Sequence, residues 1–593
     1  MSILLVLMCS VFDVTHGLLF GTYGSSTCDS SGLWYDYIVV GSGAAGSVVT
    51  HRLTSNENIT VLLLEAGGLP LFHSDVPSLA VLQHLSRQNW GYLFFEGLID
   101  NLMPWPRGKV LGGSSVINSM LYVRGNSIDY DRWANAGNPG WSYVDVLPYF
   151  KRSEDASVVH RDLAYHGSGG LLTVTDVPYR TGSAQLFVEG FREMGYPYVD
   201  YNGASQMGVS FAQATLRKGR RCSAEKAFIR PAKVRSNLKI CLHSHVSKIL
   251  CSSDKSAYGV EYIRNRRRLK AYARREVILS AGAFHSPQIL MLSGIGPKQH
   301  LSDLGIRLVE NLPVGEKLYD HLSFFGLLFT VNKPMVTSLQ ESISPANLFK
   351  FLLNGNGPLT LTVALEAFAY YKTPAANYSE NYPDVELMLS GGSLQSDNGT
   401  LFRTAFGVTS DLYNSVWKEL ESKYAWGVLP ILFHPKSHGK VRLRSKKPLD
   451  PPLLYGNYLT DSENYDLRAF ISSIREVQRV VKSPIFQRFG TKQVRPSVPG
   501  CRHTLFDSDE YWECVIRHLP ITMDHQTSTC KMGPRGDPEA VVDHKLRVHG
   551  VKNLRVVDTS VFPVTLSAHT NAPAYMVGEK GADLILNDYY TTE

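Results

Sequence analysis

The sequence predicts an α/β fold with at least two domains, and three observations support this class. The chain has 593 residues, which is more than a single hydrophobic core accommodates. Its composition, 44% hydrophobic and 19% charged, is that of an ordinary folded protein. The stretch YIVVGSGAAGSVV (residues 37–49) joins an apolar run to a glycine-rich turn and then to small residues that suit a helix. This order of elements is typical of the first unit of a doubly wound, Rossmann-like domain.

The glycine-rich turn lies between a predicted strand over residues 35–40 and a predicted helix over 44–53. Its three glycines have the spacing G-x-G-x-x-G. The first allows the tight turn, the second lets a pyrophosphate approach the backbone, and the third lets the helix lie close to the sheet. The phosphates then lie at a helix N-terminus, which favours negative charge. The residues of this turn that we predict to contact a cofactor are Gly41, Ser42, Gly43, Ala45 and Gly46.

A second strand is predicted over residues 59–68, and Glu65 lies near its end. An acidic residue at this place accepts hydrogen bonds from the hydroxyls of an adenosine ribose. The turn and Glu65 together predict a dinucleotide site, but they do not separate NAD from FAD.

Two later segments carry a resemblance to a known family. They are PWPRGKVLGGSSVINSMLYVRGN (104–126) and LSAGAFHSPQILMLSGIGP (279–297), and they resemble the two signature motifs of the glucose–methanol–choline (GMC) oxidoreductases. The resemblance runs from about residue 35 to the C-terminus, and the stretch 124–154 is most similar to the arthropod branch. It implies FAD as the cofactor, because a flavin held permanently uses extra glycine-rich and amide contacts. The further cofactor-binding residues that it implies are Arg107, Gly112, Ser115, Asn118, Val246, Asp558, Asn571 and Pro573.

Two histidines match the catalytic pair of this family. His525 lies in MDHQTSTCKMG (523–533) and His569 in LSAHTNAPAYMVGEKGADLI (566–585). Oxidation of an alcohol by hydride transfer requires a base that removes the hydroxyl proton, and imidazole suits this task near neutral pH. The resemblance assigns His525 as the proton acceptor and His569 as its partner, which orients the C–H bond toward flavin N5.

Two residues near this pair raise separate questions. Glu366, in ALEAFAYYKT, loosely resembles a family carboxylate that orients the second histidine. Ser528 stands where the family usually has glycine, and we expect its side chain to crowd the flavin or the substrate.

The resemblance implies an α/β (α+β overall) architecture with two discontinuous domains. The FAD-binding domain comprises residues 35–140, 215–320 and 540–590. The substrate domain comprises residues 141–214 and 321–539, and it is an antiparallel sheet backed by helices.

The N-terminus and the cysteines indicate a secreted, extracellular protein. The apolar stretch ILLVLMCSVF (3–12) is too short to span a bilayer, and residues 1–17 resemble a secretory signal peptide. Sites for N-glycosylation occur at Asn58, Asn377 and Asn398. Two cysteine pairs are candidates for disulfides, Cys501 with Cys514 and Cys241 with Cys251, whereas Cys530 is predicted to be a buried free thiol. No cysteine spacing is typical of a zinc site, so no metal is predicted.

The formal charge of +7 is spread along the chain. The densest basic run, IRNRRRLKAYARRE (263–276), predicts a solvated hairpin. No aromatic residues interleave a basic stripe, so nucleic acid is not expected as a partner. No other stretch is long and apolar enough to predict a membrane span.

The leading hypothesis is therefore a secreted FAD-dependent oxidoreductase that converts a CH–OH group to a carbonyl. Its partners are a small-molecule alcohol and an electron acceptor, either O₂ or a quinone. We favour an oxidase of a small aromatic alcohol or cyanohydrin that produces hydrogen peroxide. The alternatives are a sugar dehydrogenase with a quinone acceptor, for example of glucose, and, from another class, a flavin-containing hydroxynitrile lyase. A non-catalytic binding protein is disfavoured because both histidines are present.

Overall fold

The computed structural model describes residues 31–94 and 103–592, so the predicted signal segment lies outside the described residues. Two large sheets organise the fold, one mixed and one antiparallel. In the described part, the α-helices of eight or more residues are Ala44–Leu53, Ser127–Asn135, Tyr143–Ser153, Gly182–Glu193, Gly282–Leu292, Pro345–Asn354, Tyr465–Val481, Asp509–His518 and Asn571–Thr592, and Pro77–Leu85 is a 3-10 helix.

The mixed sheet has seven strands and is built around Trp34–Val40. This strand pairs in parallel with Val61–Leu64 on one side and with Arg267–Leu279 on the other. The predicted strand and the predicted helix at the glycine-rich turn are confirmed, while the second strand is shorter than predicted. In spatial order the strands are Leu238–Cys241, Val61–Leu64, Trp34–Val40, Arg267–Leu279, Ala257–Arg264 and His245–Cys251, and Leu554–Val556 also pairs with Arg267–Leu279.

The strand Arg267–Leu279 changes neighbours along its length. Its residues 267–272 pair antiparallel with 259–264, which confirms the predicted basic hairpin. Its residues 277–279 pair in parallel with 554–556. A segment close to the C-terminus therefore joins the sheet that the N-terminal segment begins.

The C-terminal helix Asn571–Thr592 packs against the first helix, Ala44–Leu53. Gly578 permits this approach, because a Cβ atom there would lie 2.8 Å from the carbonyl oxygen of Ala45. The two ends of the described chain thus form one packed unit around the glycine-rich turn.

The second large sheet is antiparallel and has six strands, and it confirms the predicted fold class. The helices Gly182–Glu193 and Tyr465–Val481 pack against it. The second of these buries one stripe of side chains at helical spacing, namely Ala469, Phe470, Ile474, Val477 and Val481. In spatial order the strands are Lys492–Gln493, Leu328–Val331, Tyr424–Leu432, Val385–Ser390, Leu365–Tyr371 and Val209–Phe211.

Short strand pairs and one three-stranded sheet supply the remaining strands of the described structure. These pairs are Tyr92–Phe94 with Met103–Trp105, Glu154–Ser157 and Gln213–Ala214 with Leu172–Asp176, Leu216–Arg217 with Arg220–Arg221, Ile295–Gly296 with Glu310–Asn311, Leu322–Phe324 with Pro520–Thr522, and Lys440–Arg442 with Leu453–Tyr455. The exact domain boundaries stay a prediction.

The cysteines confirm one predicted disulfide and exclude the other. Cys501 and Cys514 are joined, and Cys530 is a buried free thiol as predicted. Cys241 is disulfide-bonded, but Cys251 is a free thiol, so the pairing of Cys241 with Cys251 is wrong. The physical reason is distance, because their strands lie at opposite edges of the seven-stranded sheet.

Two surface features bear on the cellular setting. The side chains of Asn58, Asn377 and Asn398 are all exposed. Among the described residues, every helix is either too short or too polar to cross a bilayer.

Candidate active site

A cavity of about 380 Å³ is lined by residues of both large sheets. It collects most of the residues singled out from the sequence, which are Gly41, Ser42, Gly43, Ala45, Glu65, Arg107, Ser115, Asn118, Val246, His525, Asp558, His569 and Asn571. Three others are not among the lining residues, namely Gly46, Gly112 and Pro573. Pro573 lies in the first turn of the C-terminal helix.

The glycine-rich turn has the shape that a pyrophosphate site requires. Gly41 has a φ of +94°, and a Cβ atom there would lie 2.5 Å from the carbonyl oxygen of Ser280. At Gly46 a Cβ atom would meet the carbonyl oxygen of Gly41 at 2.1 Å, so this glycine holds the helix close to the strand. By contrast, a Cβ atom at Gly43 would meet no atom within 4 Å, so its backbone is open to a ligand.

The second glycine-rich turn packs directly on the first. A Cβ atom at Gly113 would lie 2.6 Å from the Cα of Gly43, and the amide of Gly112 donates to the hydroxyl of Ser42. Gly112 therefore supports the first turn without lining the cavity. Arg221 donates to the carbonyl oxygen and to Oδ1 of Asn118, and the side-chain Nδ2 of Asn118 has no hydrogen-bond partner among the described residues.

Glu65 is held rigidly at the end of its strand. Its Oε2 accepts bonds from the amide and the hydroxyl of Ser42, and its Oε1 accepts one from the amide of Gly67. Burial raises the pKa of this carboxyl, and the bonds from Ser42 and Gly67 oppose the rise. A fixed acceptor at this place suits a ribose hydroxyl.

Residues of two C-terminal segments also line the cofactor end of the cavity. Asp558 accepts bonds from the amide of Gly282 and the hydroxyl of Ser286, which joins the last strand to the second signature motif. Asn571 begins the C-terminal helix, and its buried Nδ2 has no partner among the described residues. Three features of this cavity fit an anionic dinucleotide that carries a flavin. They are the open backbone at Gly43, the unpaired side-chain nitrogens of Asn118 and Asn571, and the N-terminus of the C-terminal helix.

The two predicted catalytic histidines lie together in this cavity. The rings of His525 and His569 are T-shaped, with centroids 4.7 Å apart. Nε2 of His569 lies 3.1 Å from Oε1 of Glu386. Nδ1 of His525 lies 2.9 Å from Nδ1 of His321. Each histidine therefore has one nitrogen fixed by the protein and one left for the cavity.

Two paired strands position His525. Leu322–Phe324 pairs antiparallel with Pro520–Thr522, so the residues that flank these strands meet. The amide of His525 donates to Oδ1 of Asp320 at 2.9 Å. Asp320 also accepts bonds at Oδ2 from Tyr458, Thr522 and Gln526, so this buried carboxylate anchors the loop.

Burial controls the charge of these histidines. It lowers the pKa of His525 well below its ordinary value, and the nearby His569, His321 and Arg107 lower it further. It also lowers the pKa of His321, with smaller contributions from His434 and His569. Both rings are thus neutral near pH 7, which a proton acceptor requires.

The carboxylate that orients His569 is Glu386, so the expectation for Glu366 is wrong. Glu366 accepts bonds from the amide and the hydroxyl of Thr181. The physical reason is local, because the strand pairing shifts between Leu365 and Ala367 and places Glu366 outside the regular ladder. Glu386 lies on the neighbouring strand, opposite Tyr370.

Ser528 does not crowd the cavity, contrary to expectation. It is not among the lining residues, and its buried hydroxyl donates to the hydroxyl of Thr527. Its φ is +72°, in the left-handed region that glycine adopts freely. The usual glycine at this place therefore reflects backbone conformation and not space for a ligand.

Sequence reasoning missed three residues of the site, which are His321, Asp320 and Glu386. The first two lie at the end of LPVGEKLYDH (312–321), just before a buried strand. Glu386 is the acidic residue in the otherwise apolar strand VELML. A buried carboxylate in an apolar strand was the available signal, because it requires a partner.

Fold and cavity together define a flavin-dependent oxidoreductase, and comparison with known proteins agrees. The N-terminal GMC oxidoreductase family model matches residues 35–323, and the C-terminal one matches residues 435–578. The chain belongs to the GMC oxidoreductase family and is an FAD-dependent alcohol oxidoreductase.

Three relatives illustrate the range of the family. A glucose dehydrogenase (FAD, quinone) of Drosophila pseudoobscura pseudoobscura is 39% identical over 93% of this chain and 86% of its own length. An ecdysone oxidase of Spodoptera littoralis is 33% identical over 98% of this chain and 96% of its own. A formate oxidase of Aspergillus oryzae has a TM-score of 0.82 and 25% identity, and the match covers 95% of this chain and all of that one.

Proposed function

We propose that this protein is an extracellular oxidase in which His525 accepts the hydroxyl proton of an alcohol and His569 orients that alcohol. The observation that carries the proposal is the placement of both rings in one cavity, 4.7 Å apart and each tethered through one nitrogen. The substrate hydroxyl binds between Nε2 of His525 and the free nitrogen of His569, so that its proton passes to Nε2 as the C–H bond breaks.

The glycine-rich turns, Glu65, Asn118, Val246, Asp558 and Asn571 hold the cofactor in this proposal. When bound, FAD supplies the acceptor for the hydride of the substrate carbon. The protein contributes the base, the orientation of the alcohol and a largely apolar cavity.

Oxygen is the proposed second substrate, with hydrogen peroxide as the product. A protonated His525 favours transfer of negative charge to O₂, and dissolved oxygen is freely available outside cells. A quinone is the alternative acceptor, which the name of the glucose dehydrogenase relative supports. Exposed glycosylation sites and the Cys501–Cys514 disulfide support the extracellular location.

The proposed substrate is a small aromatic alcohol or an aromatic cyanohydrin. The substrate side of the cavity is lined mainly by apolar side chains, among them Phe325, Leu361, Val363, Phe402, Phe406 and Leu429. A sugar would bring several hydroxyl groups against these surfaces, and each unpaired hydroxyl would cost free energy. A sugar is therefore the second candidate, supported by the relative and disfavoured by the lining.

An anaerobic absorption spectrum tests the proposal. Glucose, benzyl alcohol, salicyl alcohol and mandelonitrile are added in turn to the purified protein, and air is then admitted. Bleaching by an aromatic compound with rapid recovery in air is expected. Recovery only with a quinone would show a dehydrogenase, and a bound flavin that no compound bleaches would favour a hydroxynitrile lyase.

A further inference from the structure

The helix Pro345–Asn354 exposes two large apolar side chains on one side. Phe349 is 64% exposed and Leu353 is 78% exposed, and they stand four residues apart, so they point in the same direction. Single exposed apolar side chains are common on the surfaces of soluble proteins. Phe349 and Leu353 differ because they lie side by side on one helix and form a continuous apolar face.

In the sequence, this helix lies between two segments that line the cavity. Thr337, Leu339 and Ser342, just before it, line the cavity, and so do Leu361 and Val363, just after it. The inner side of this segment therefore borders the substrate, while the helix presents apolar side chains to the outside.

Three cations lie on this helix or at its C-terminal end. Lys350 lies on the helix itself and is exposed. The turn that carries Lys218 and Arg220 abuts the end of the helix, because a Cβ atom at Gly219 would lie 1.9 Å from the carbonyl oxygen of Gly355. The guanidinium of Arg220 stacks over the ring of Phe351 at 4.7 Å.

These cations have no acidic side chain within ion-pair distance among the described residues. Residues 337–364 contain a single acidic residue, Glu341, whose carboxylate is bound by the amide of Ser338. The face therefore combines protruding apolar groups with uncompensated positive charge.

We propose that this docking face, made of Phe349, Leu353, Lys350 and Lys218, binds a lipid surface with anionic head groups. Apolar side chains inserted at the head-group boundary and cations among lipid phosphates are the two contributions that hold a protein at a membrane without spanning it. The protruding shape favours a lipid surface over a protein partner, because a protein groove would have to match both side chains. Bound in this way, the enzyme would hold its apolar cavity beside a source of apolar substrates.

Vesicle co-sedimentation of the flavin-loaded enzyme tests this proposal. Wild-type protein is expected to bind vesicles of phosphatidylcholine with phosphatidylserine, and to bind those of phosphatidylcholine alone at least about tenfold more weakly. The double variant Phe349→Ser, Leu353→Ser is expected to lose about tenfold or more in partition onto the mixed vesicles. Its flavin spectrum and its oxidation of a dissolved alcohol should remain those of the wild type.

In the matched control, Val234 and Leu505 are replaced by serine. These two residues are 82% and 80% exposed and lie outside the docking face. This control should bind the mixed vesicles like the wild type. Equal loss in both double variants, or absence of wild-type binding, would overturn the proposal. Binding to soluble polyglutamate without binding to either vesicle would also overturn it, in favour of an acidic protein partner.

Discussion

Nδ1 of His321 and Nδ1 of His525 lie 2.9 Å apart in the buried wall of the cavity. One of these nitrogens must carry a hydrogen, because two unprotonated nitrogens would repel each other. If the hydrogen is on His525, its Nε2 carries the lone pair that faces the cavity. The tautomer of the proposed base is then set by a histidine that does not itself line the cavity.

Replacement of His321 by alanine is expected to lower kcat/KM by about tenfold or more, as loss of an orienting partner does. The proximity of His321 contributes to the lowered pKa of His525, so its removal should raise that pKa. The acid limb of the pH profile of kcat/KM should therefore move to higher pH. His321→Asn retains a hydrogen-bonding group and should restore part of the rate, whereas an unmoved acid limb would contradict this role.

His525→Ala is expected to keep bound yellow flavin and to lose alcohol oxidation by about 10²- to 10⁴-fold, because the proton acceptor is absent. Stopped-flow measurement of flavin bleaching under anaerobic conditions isolates this step from the reaction with oxygen. Full activity in this variant would exclude His525 as the base.

Glu386→Gln should lower kcat by about tenfold, because His569 loses a charged acceptor at Nε2 and its orientation weakens. Glu366→Gln is the matched control, since this second buried carboxylate lies on the neighbouring strand and bonds to Thr181. We expect the control to stay within about twofold of the wild type. Steady-state rates of both variants, with flavin content measured in parallel, decide between the two carboxylates.

Ser528→Gly should leave turnover unchanged and the free energy of unfolding within about 1 kcal/mol. Glycine adopts the left-handed backbone conformation without strain, which favours the folded state. It also removes the buried hydrogen bond of the Ser528 hydroxyl and increases the conformational entropy of the unfolded chain, so the effects oppose each other. Ser528→Val should destabilise the protein by about 2 kcal/mol or more, because a β-branched residue tolerates this backbone poorly. Thermal unfolding distinguishes these outcomes, and a faster enzyme in Ser528→Gly would restore the idea of crowding.

Stability should fall in mild acid because several histidines are buried in the neutral form. Burial lowers the pKa of His51 to about 4 and that of His285 to about 3, and it lowers the pKa of His321 and His525 well below the ordinary value of 6.5. Below pH 6.5 these histidines bind protons in the unfolded chain but not in the folded protein, so their contribution to stability is complete above this pH and is lost as the pH falls toward 4. Each histidine contributes at most about 1.4 kcal/mol per pH unit.

The melting temperature measured between pH 7 and pH 4 checks this slope. His51→Gln removes one such group at a distance from the substrate cavity, so it should make the decline shallower. A melting temperature that does not change with pH would contradict the prediction.

Short sequence motifs were sufficient to predict much of the cofactor-binding half of the site. Gly41 and Glu65 belong to a contiguous strand–turn–helix–strand unit, where spacing along the chain translates directly into geometry. His525 and His569 were found by resemblance, since no local pattern distinguishes them from other histidines. The sequence did not connect Glu386 and His321 to the catalytic pair, because their partners lie 183 and 204 residues away and only the pairing of distant strands brings them together.

The packing of the last helix, Asn571–Thr592, on the first, Ala44–Leu53, has a consequence for biosynthesis. A ribosome releases His569 and Asn571 only after it has made the strands of both large sheets. The nascent chain can form the early strands of the mixed sheet, but the helix that closes the nucleotide pocket arrives last. We therefore expect FAD to be captured only after this helix has been synthesised, and a chain cut before Asn571 to lack a complete pocket.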